Sequence, residues 1–137
     1  MTIFSLSHIS LARNGAAILD DVSFSARAGE HWAVLGPNGS GKTTLLTILT
    51  GYLWPMEGTV EVLGGRYGEI DIREKRKKIG LVSSALFERL PADATFRDIV
   101  LSGRFASLGL FEDISAHDRD RALELVDRLG CASIADR

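Results

Sequence analysis

The sequence predicts an α/β fold, with strands and helices mixed through the first 84 residues and mainly helices after them. Three observations carry this. Ile3–Leu11 and Ile18–Ala26 alternate apolar and polar residues, the period of a half-buried strand. The run "HWAVL", His31–Leu35, leads into a glycine-rich loop and then an apolar helical pattern. Beyond Thr95 the apolar residues recur at helical spacing.

The elements follow in order. "RNGA" at Arg13–Ala16 is the turn between the first two strands, and "AGE" at Ala28–Glu30 is the next turn. His31–Leu35 is short, apolar and bounded by glycine, so a buried strand is expected there. A helix is expected over Lys42–Thr50, carrying Leu45, Leu46, Ile48 and Leu49, with Gly51 as its C-terminal cap. "GTVEVLGG", Gly58–Gly65, alternates like an exposed strand. "DIREKRKK", Asp71–Lys78, reads as a short helix whose cations form a solvated face rather than a nucleic-acid patch. "IGLVSS", Ile79–Ser84, is expected to be a second buried strand. Thr95 caps a helix through Phe96, Ile99, Val100 and Leu101. "SAHD" at Ser115–Asp118 has capping-box spacing, and the helix after it places Ala122, Leu125, Val126 and Leu129 on one face before Gly130 ends it.

Bulk properties exclude several classes. At 137 residues the chain is long enough to bury a sizeable core. A net charge of −2 gives no bulk attraction to nucleic acid or to an anionic membrane. The apolar runs are far shorter than the roughly 18 residues of a membrane span. The N-terminus lacks the basic start and apolar core of a signal peptide. Cys131 is the only cysteine, which leaves no internal disulfide and no thiolate cluster; a small buried side chain is its expected role. Cytoplasm is the expected compartment.

"GPNGSGKT", Gly36–Thr43, matches G-x-x-x-x-G-K-[ST] at every fixed position. Its composition suits polyphosphate. Gly39 and Gly41 allow backbone conformations closed to other residues and a close approach to the phosphates. Successive N–H groups from Gly39 to Thr44 then converge on phosphate oxygens, helped by the positive end of the helix dipole. Lys42 supplies a full charge to the β- and γ-phosphates, and the Thr43 hydroxyl is placed to ligate Mg²⁺. Gly36, Pro37, Asn38, Gly39, Ser40, Gly41, Lys42, Thr43 and Thr44 are therefore the candidate nucleotide-binding residues.

With "LDDVSFSARAGE" before the loop and "GYLWPMEGTVEVLGG" after the first helix, residues Ile3–Ser84 resemble the N-terminal half of an ATP-binding cassette (ABC) ATPase. "TFRDIVLSGRFASLGLF" resembles the start of that family's helical subdomain, as in ATPases that power metal-chelate importers. "LVSSALFE" is similar to the branch that includes molybdate- and photorepair-associated ATPases. The resemblance implies a P-loop NTPase ABC-type core with an N-terminal antiparallel β layer, over residues 1–84, and a partial helical subdomain over 85–137. It implies Mg·ATP binding, with hydrolysis in a head-to-tail pair of such domains that drives a membrane permease. A permease would dock on the surface after Ser84, at Phe87, Leu90 and Phe96. No nucleic-acid partner is expected.

The sequence also departs from the family pattern. Where the family usually places an aromatic residue to stack on adenine, this chain has Arg13; it is either a guanidinium plane that stacks on the base or a solvent-facing turn residue. The family's glutamine that reaches Mg²⁺ and the attacking water is replaced by the "VSS" of Val82–Ser84, and the chain contains no glutamine. Ser84 and Glu88 are the alternative oxygen donors to the metal. The family's later motifs (the signature, the second nucleotide motif and the switch histidine) are not in these 137 residues. "LSGR" at Leu101–Arg104 falls inside an expected helix and is not the signature; His117 is expected at the surface. Two alternatives to a transport ATPase stay open: a truncated fragment that binds nucleotide without turnover, and a soluble ABC protein with no membrane partner. In the family's sheet two later strands separate His31–Leu35 from Ile79–Ser84, so the chain alone is expected to be marginally stable.

Overall fold

The computed structural model describes residues 1–84 and 89–137. They divide into two units, Met1–Ile79 and Gly80–Arg137.

The first unit is built on an antiparallel sheet of order β2-β1-β3-β4. β1 (Thr2–Arg13) and β2 (Ala16–Arg27) form a long hairpin. Its two-residue turn is Asn14-Gly15, with φ of 52° and 78°. Asn-Gly tolerates two positive φ values, which a tight hairpin turn with the right twist requires. β3 (Glu57–Val62) pairs with the other edge of β1, and the short β4 (Gly65–Arg66) follows it.

Simple alternation does not hold along the hairpin. Leu6 pairs with Phe24, Ile9 with Val22 and Leu11 with Leu19, so each strand carries one extra residue in turn. The extra residues are His8 in β1 and Asp21 in β2, with φ of 55° and 49°. Each bulge shifts the inward-facing set by one, so that Leu6 and Ile9, three apart, are both buried. Serine hydroxyls accept the displaced N–H groups: His8 N–H donates to Ser23 Oγ at 2.9 Å and Asp21 N–H to Ser10 Oγ at 3.1 Å. Opposite the first bulge sits Gly58, with φ of 93°, where a Cβ would lie 2.3 Å from the His8 carbonyl oxygen.

Against this sheet packs α1 (Lys42–Leu49). Leu45 and Ile48 from the helix join Leu6, Ile9, Leu19, Val60, Val62 and Tyr67 in one buried cluster. Each fully buried aliphatic side chain contributes roughly 1.5–3 kcal/mol. Gly51, with φ of 75°, ends the helix as expected. α2 (Ile72–Arg76) is capped by Asp71, whose carboxylate accepts the Arg73 N–H at 2.9 Å.

Two expected elements are absent. His31–Leu35 and Ile79–Ser84 are not strands. Strands form as ladders, and among the described residues no strand lies beside either run to exchange N–H···O bonds with it. The side chains expected to be buried are correspondingly outside: Trp32 is 59% exposed, Leu35 90% and Val82 102%. The run at Gly58–Gly65, expected to be exposed, instead buries Val60 and Val62.

The second unit is helical. α3 (Phe96–Ser102) starts in a full capping box: Thr95 Oγ1 accepts the Asp98 N–H, and the Thr95 N–H donates to Asp98 Oδ2 at 3.1 Å. The next two N–H groups, of Phe96 and Arg97, bond to the carbonyls of Arg137 and Ala135. α4 (Ala116–Arg128) is capped by Ser115, whose hydroxyl accepts the Asp118 N–H. Ala122 and Val126 face inward as expected and Leu125 is half-buried. Leu129 is 65% exposed, a correction, because it is already the C-terminal cap and Gly130, at φ 70°, turns the chain.

Candidate functional site

The glycine loop runs from Gly36 to Gly41 and opens directly into α1. Gly39 and Gly41 have φ of 82° and 84°, so both occupy the left-handed region that L side chains avoid. A Cβ at Gly41 would also lie 2.8 Å from the Ile18 carbonyl oxygen and 2.8 Å from Leu19. The end of the loop thus rests directly on β2, and no larger residue fits. A Cβ at Gly36 would lie 2.8 Å from Ser40 Oγ, across the loop.

Donors gather at this bend. The Lys42 ammonium turns back into the loop and donates to the carbonyls of Gly36 at 2.8 Å and Pro37 at 2.7 Å, with Ser40 Oγ at 3.4 Å. These contacts hold the positive charge within the loop instead of letting it swing into solvent. Gly41 caps α1 without a side-chain bond, and the first turn holds no acidic residue. The first intrahelical bond is Leu45 N–H to Gly41 O at 2.8 Å, so the N–H groups of Lys42, Thr43 and Thr44 have no acceptor in the helix. Among the described residues the hydroxyls of Thr43 and Thr44 have no hydrogen-bond partner either, and Thr43 is exposed. Free amides, one ammonium and two free hydroxyls around a positive helix end are groups able to receive an anion.

Arg13 closes the β1–β2 hairpin opposite Ala16, on the same hairpin that supports Gly41. It is exposed, and among the described residues no ion pair or hydrogen bond holds its guanidinium. Ser84 is exposed and belongs to the second unit. Glu88 and Phe87 lie outside the described residues. Leu90 and Phe96 are half-buried in the second unit.

The basic run on α2 is largely occupied. Lys75 Nζ donates to Leu63 O at 2.9 Å, Lys77 pairs with Glu74 at 2.7 Å, and Arg76 stacks over the Tyr52 ring at 4.9 Å. Leu101 and Ser102 end α3 and a 3₁₀ turn takes Gly103–Phe105; His117 is exposed in the first turn of α4. Cys131 is half-buried, with its thiol 3.5 Å from Leu129 O. Two groups escaped the sequence reading. The Ile18–Leu19 backing of the loop and a bond from Tyr67 to the far end of α1 link residues well separated in sequence, and no local pattern announces either.

Sheet, loop and helix together define a P-loop chain. The ABC transporter family model matches residues 19–137. The chain is 45% identical over 137 residues to an uncharacterized ABC transporter ATP-binding protein, YlmA, of Bacillus subtilis, covering 98% of this chain and 52% of that protein. It is 37% identical over 126 residues to the cobalt import ATP-binding protein CbiO of Rhodobacter capsulatus, covering 90% and 43%. Among solved structures it superposes on a nucleotide-free ATP-binding cassette from an ABC transporter with a TM-score of 0.69 at 22% identity, covering 100% of this chain and 57% of that one. On an inward-facing putative metal-chelate type ABC transporter the TM-score is 0.59 at 26% identity, covering 99% and 48%. This chain belongs to the ABC transporter family, among its ATP-binding proteins. It spans about half the length of the curated relatives it matches.

Proposed function

We propose that Gly36–Thr44 binds the phosphates of Mg·ATP, and that in the complete protein this site hydrolyses ATP to drive transport with a second ATP-binding domain and a membrane permease. The observation that supports this most is the loop itself: Lys42 held inward by two carbonyls, beside first-turn N–H groups with no acceptor. In this reading the amides of Gly39 and Gly41–Thr44 hold the phosphate oxygens, and Lys42 spans the β- and γ-phosphates. Arg13 packs its guanidinium plane on the base. Mg²⁺ would be held by the Thr43 hydroxyl and would supply charge neutralisation between the phosphates. Among the described residues no group of three acidic, histidine or cysteine side chains is assembled for a metal, which suits an ion carried in with the nucleotide. No helix among the described residues is long and apolar enough to cross a membrane. The proposed location is the cytoplasm, at the inner face of the membrane where a permease partner stands.

A second reading, binding without turnover, is favoured by the absence of glutamine from the sequence, which removes the family's usual water-positioning side chain. Calorimetric titration with Mg·ATP tests the binding that both readings share. A hydrogen bond to a charged group is worth roughly 1.5–3 kcal/mol, so Lys42→Ala is expected to weaken binding about ten- to a hundredfold. Equal affinity in the two proteins would exclude the loop as the phosphate site. ATP turnover that Lys42→Ala abolishes supports the ATPase, and its absence from both proteins supports the binding fragment.

A further inference from the structure

Given that reading of the loop, we infer that Tyr67 is a positioning residue for the phosphate-binding helix: its hydroxyl pins the far end of α1 to the sheet and thereby sets where the first-turn amides stand. The two ends of α1 are treated differently. The N-terminus has neither a side-chain cap nor an acidic residue, so its donors are left for an anion. The C-terminus has no basic residue in its last turn, yet its carbonyls are taken. Leu46 O accepts from Thr50 N–H and Oγ1, Ile48 O from Gly51 N–H, and Thr47 O from Tyr52 N–H. Those bonds come from the turn that follows. The bond to Leu49 O, at 2.7 Å, comes from Tyr67, 18 residues away and beyond β4.

Tyr67 is itself fixed. Its N–H donates to Val60 O at 2.9 Å, its ring leans on Trp54 at 5.7 Å, and it is 9% exposed. At Gly51 a Cβ would lie 2.5 Å from Ile72 and 3.4 Å from the Tyr67 hydroxyl, so helix end, phenol and α2 meet without spare room. Burial pushes the Tyr67 phenol up to about 12, partly offset by the Arg76 charge, so it stays protonated and donating at neutral pH. A helix of this length is a short rod of about 12 Å. Fixing one end to the sheet fixes the other, and convergent donors work only when held to within about 0.5 Å.

Tyr67→Phe removes the donor and keeps the ring against Trp54. Val62→Ala, in the same buried cluster but paired with Phe4 and Gly65 of the sheet, serves as a variant that loosens the core without removing a hydrogen bond to α1. Calorimetry with Mg·ATP is run on the 137-residue chain, with ¹⁵N amide shifts recorded in the absence of nucleotide. The expected result for Tyr67→Phe is a threefold to tenfold weaker affinity, the worth of about one hydrogen bond. It comes with shifted amide resonances at Lys42, Thr43 and Thr44, while Val62→Ala at a temperature where both are folded leaves those resonances and the affinity in place. Unchanged affinity in Tyr67→Phe overturns the inference, as does an equal loss in both variants, which would make Tyr67 merely structural. Failure of the unsubstituted chain to bind Mg·ATP would instead remove the reading of the loop on which the inference stands.

Discussion

Gly58 shows how a single residue holds this sheet together. Its φ of 93° is closed to L side chains, and a Cβ there would sit 2.3 Å from the His8 carbonyl. Gly58→Ala should therefore cost roughly 2–4 kcal/mol, read as a lower urea midpoint at unchanged slope. Asn14→Ala, at a site with φ of 52° but open surroundings, should cost about 1 kcal/mol by the same melt. Much at this scale was legible in the sequence. The loop glycines, Lys42 and the Asn-Gly turn each state a backbone or charge requirement that is local. His8 and Asp21 were not legible as bulge residues, since neither is glycine and the strain at each is relieved by serines at Ser23 and Ser10 on the other strand. Tyr67 was equally hidden, because its bond to Leu49 exists only once the sheet has formed.

Among the elements, the helices were readable because their signals are local. Thr95 and Asp98 close a reciprocal box, so Thr95→Ala should cost about 1 kcal/mol and reduce helical circular dichroism. At α4, the Ser115 hydroxyl, and to a lesser degree Arg104, hold the half-buried Asp118 carboxyl below its ordinary range, against desolvation that pushes it up. A depressed carboxylate stabilises above its unfolded pKa, and the benefit is lost as pH falls through the folded one. Acidification through and below the ordinary carboxylate range should thus fray the start of α4, and Ser115→Ala should flatten that dependence in a pH titration of the Asp118 and Arg119 amide signals. Strands depend on partners. β1, β2 and β3 form because they pair with one another, whereas His31–Leu35 and Ile79–Ser84 have strand-like composition without a ladder. Apolar composition states that a run prefers burial; it does not supply the neighbour.

For the whole molecule, that difference leaves apolar side chains at the surface. Trp32, Val34 and Leu35 form an exposed apolar run beside the loop, 59%, 40% and 90% accessible. Such a run invites association between copies. The isolated chain should therefore show concentration-dependent light scattering, and Leu35→Lys should reduce it without moving the α4 amide resonances. Equal scattering by both proteins would place the sticky surface elsewhere. The relatives at 45% and 37% identity are about twice as long as the matched stretch. The phosphate cradle proposed for Gly36–Thr44 stands or falls on its occupancy. ¹⁵N amide spectra recorded during titration with Mg·ATP test it most directly. Saturable shifts are expected, largest at Gly39–Thr44 and lost in Lys42→Ala. Saturable shifts confined to other residues, or no saturation at all, would contradict it.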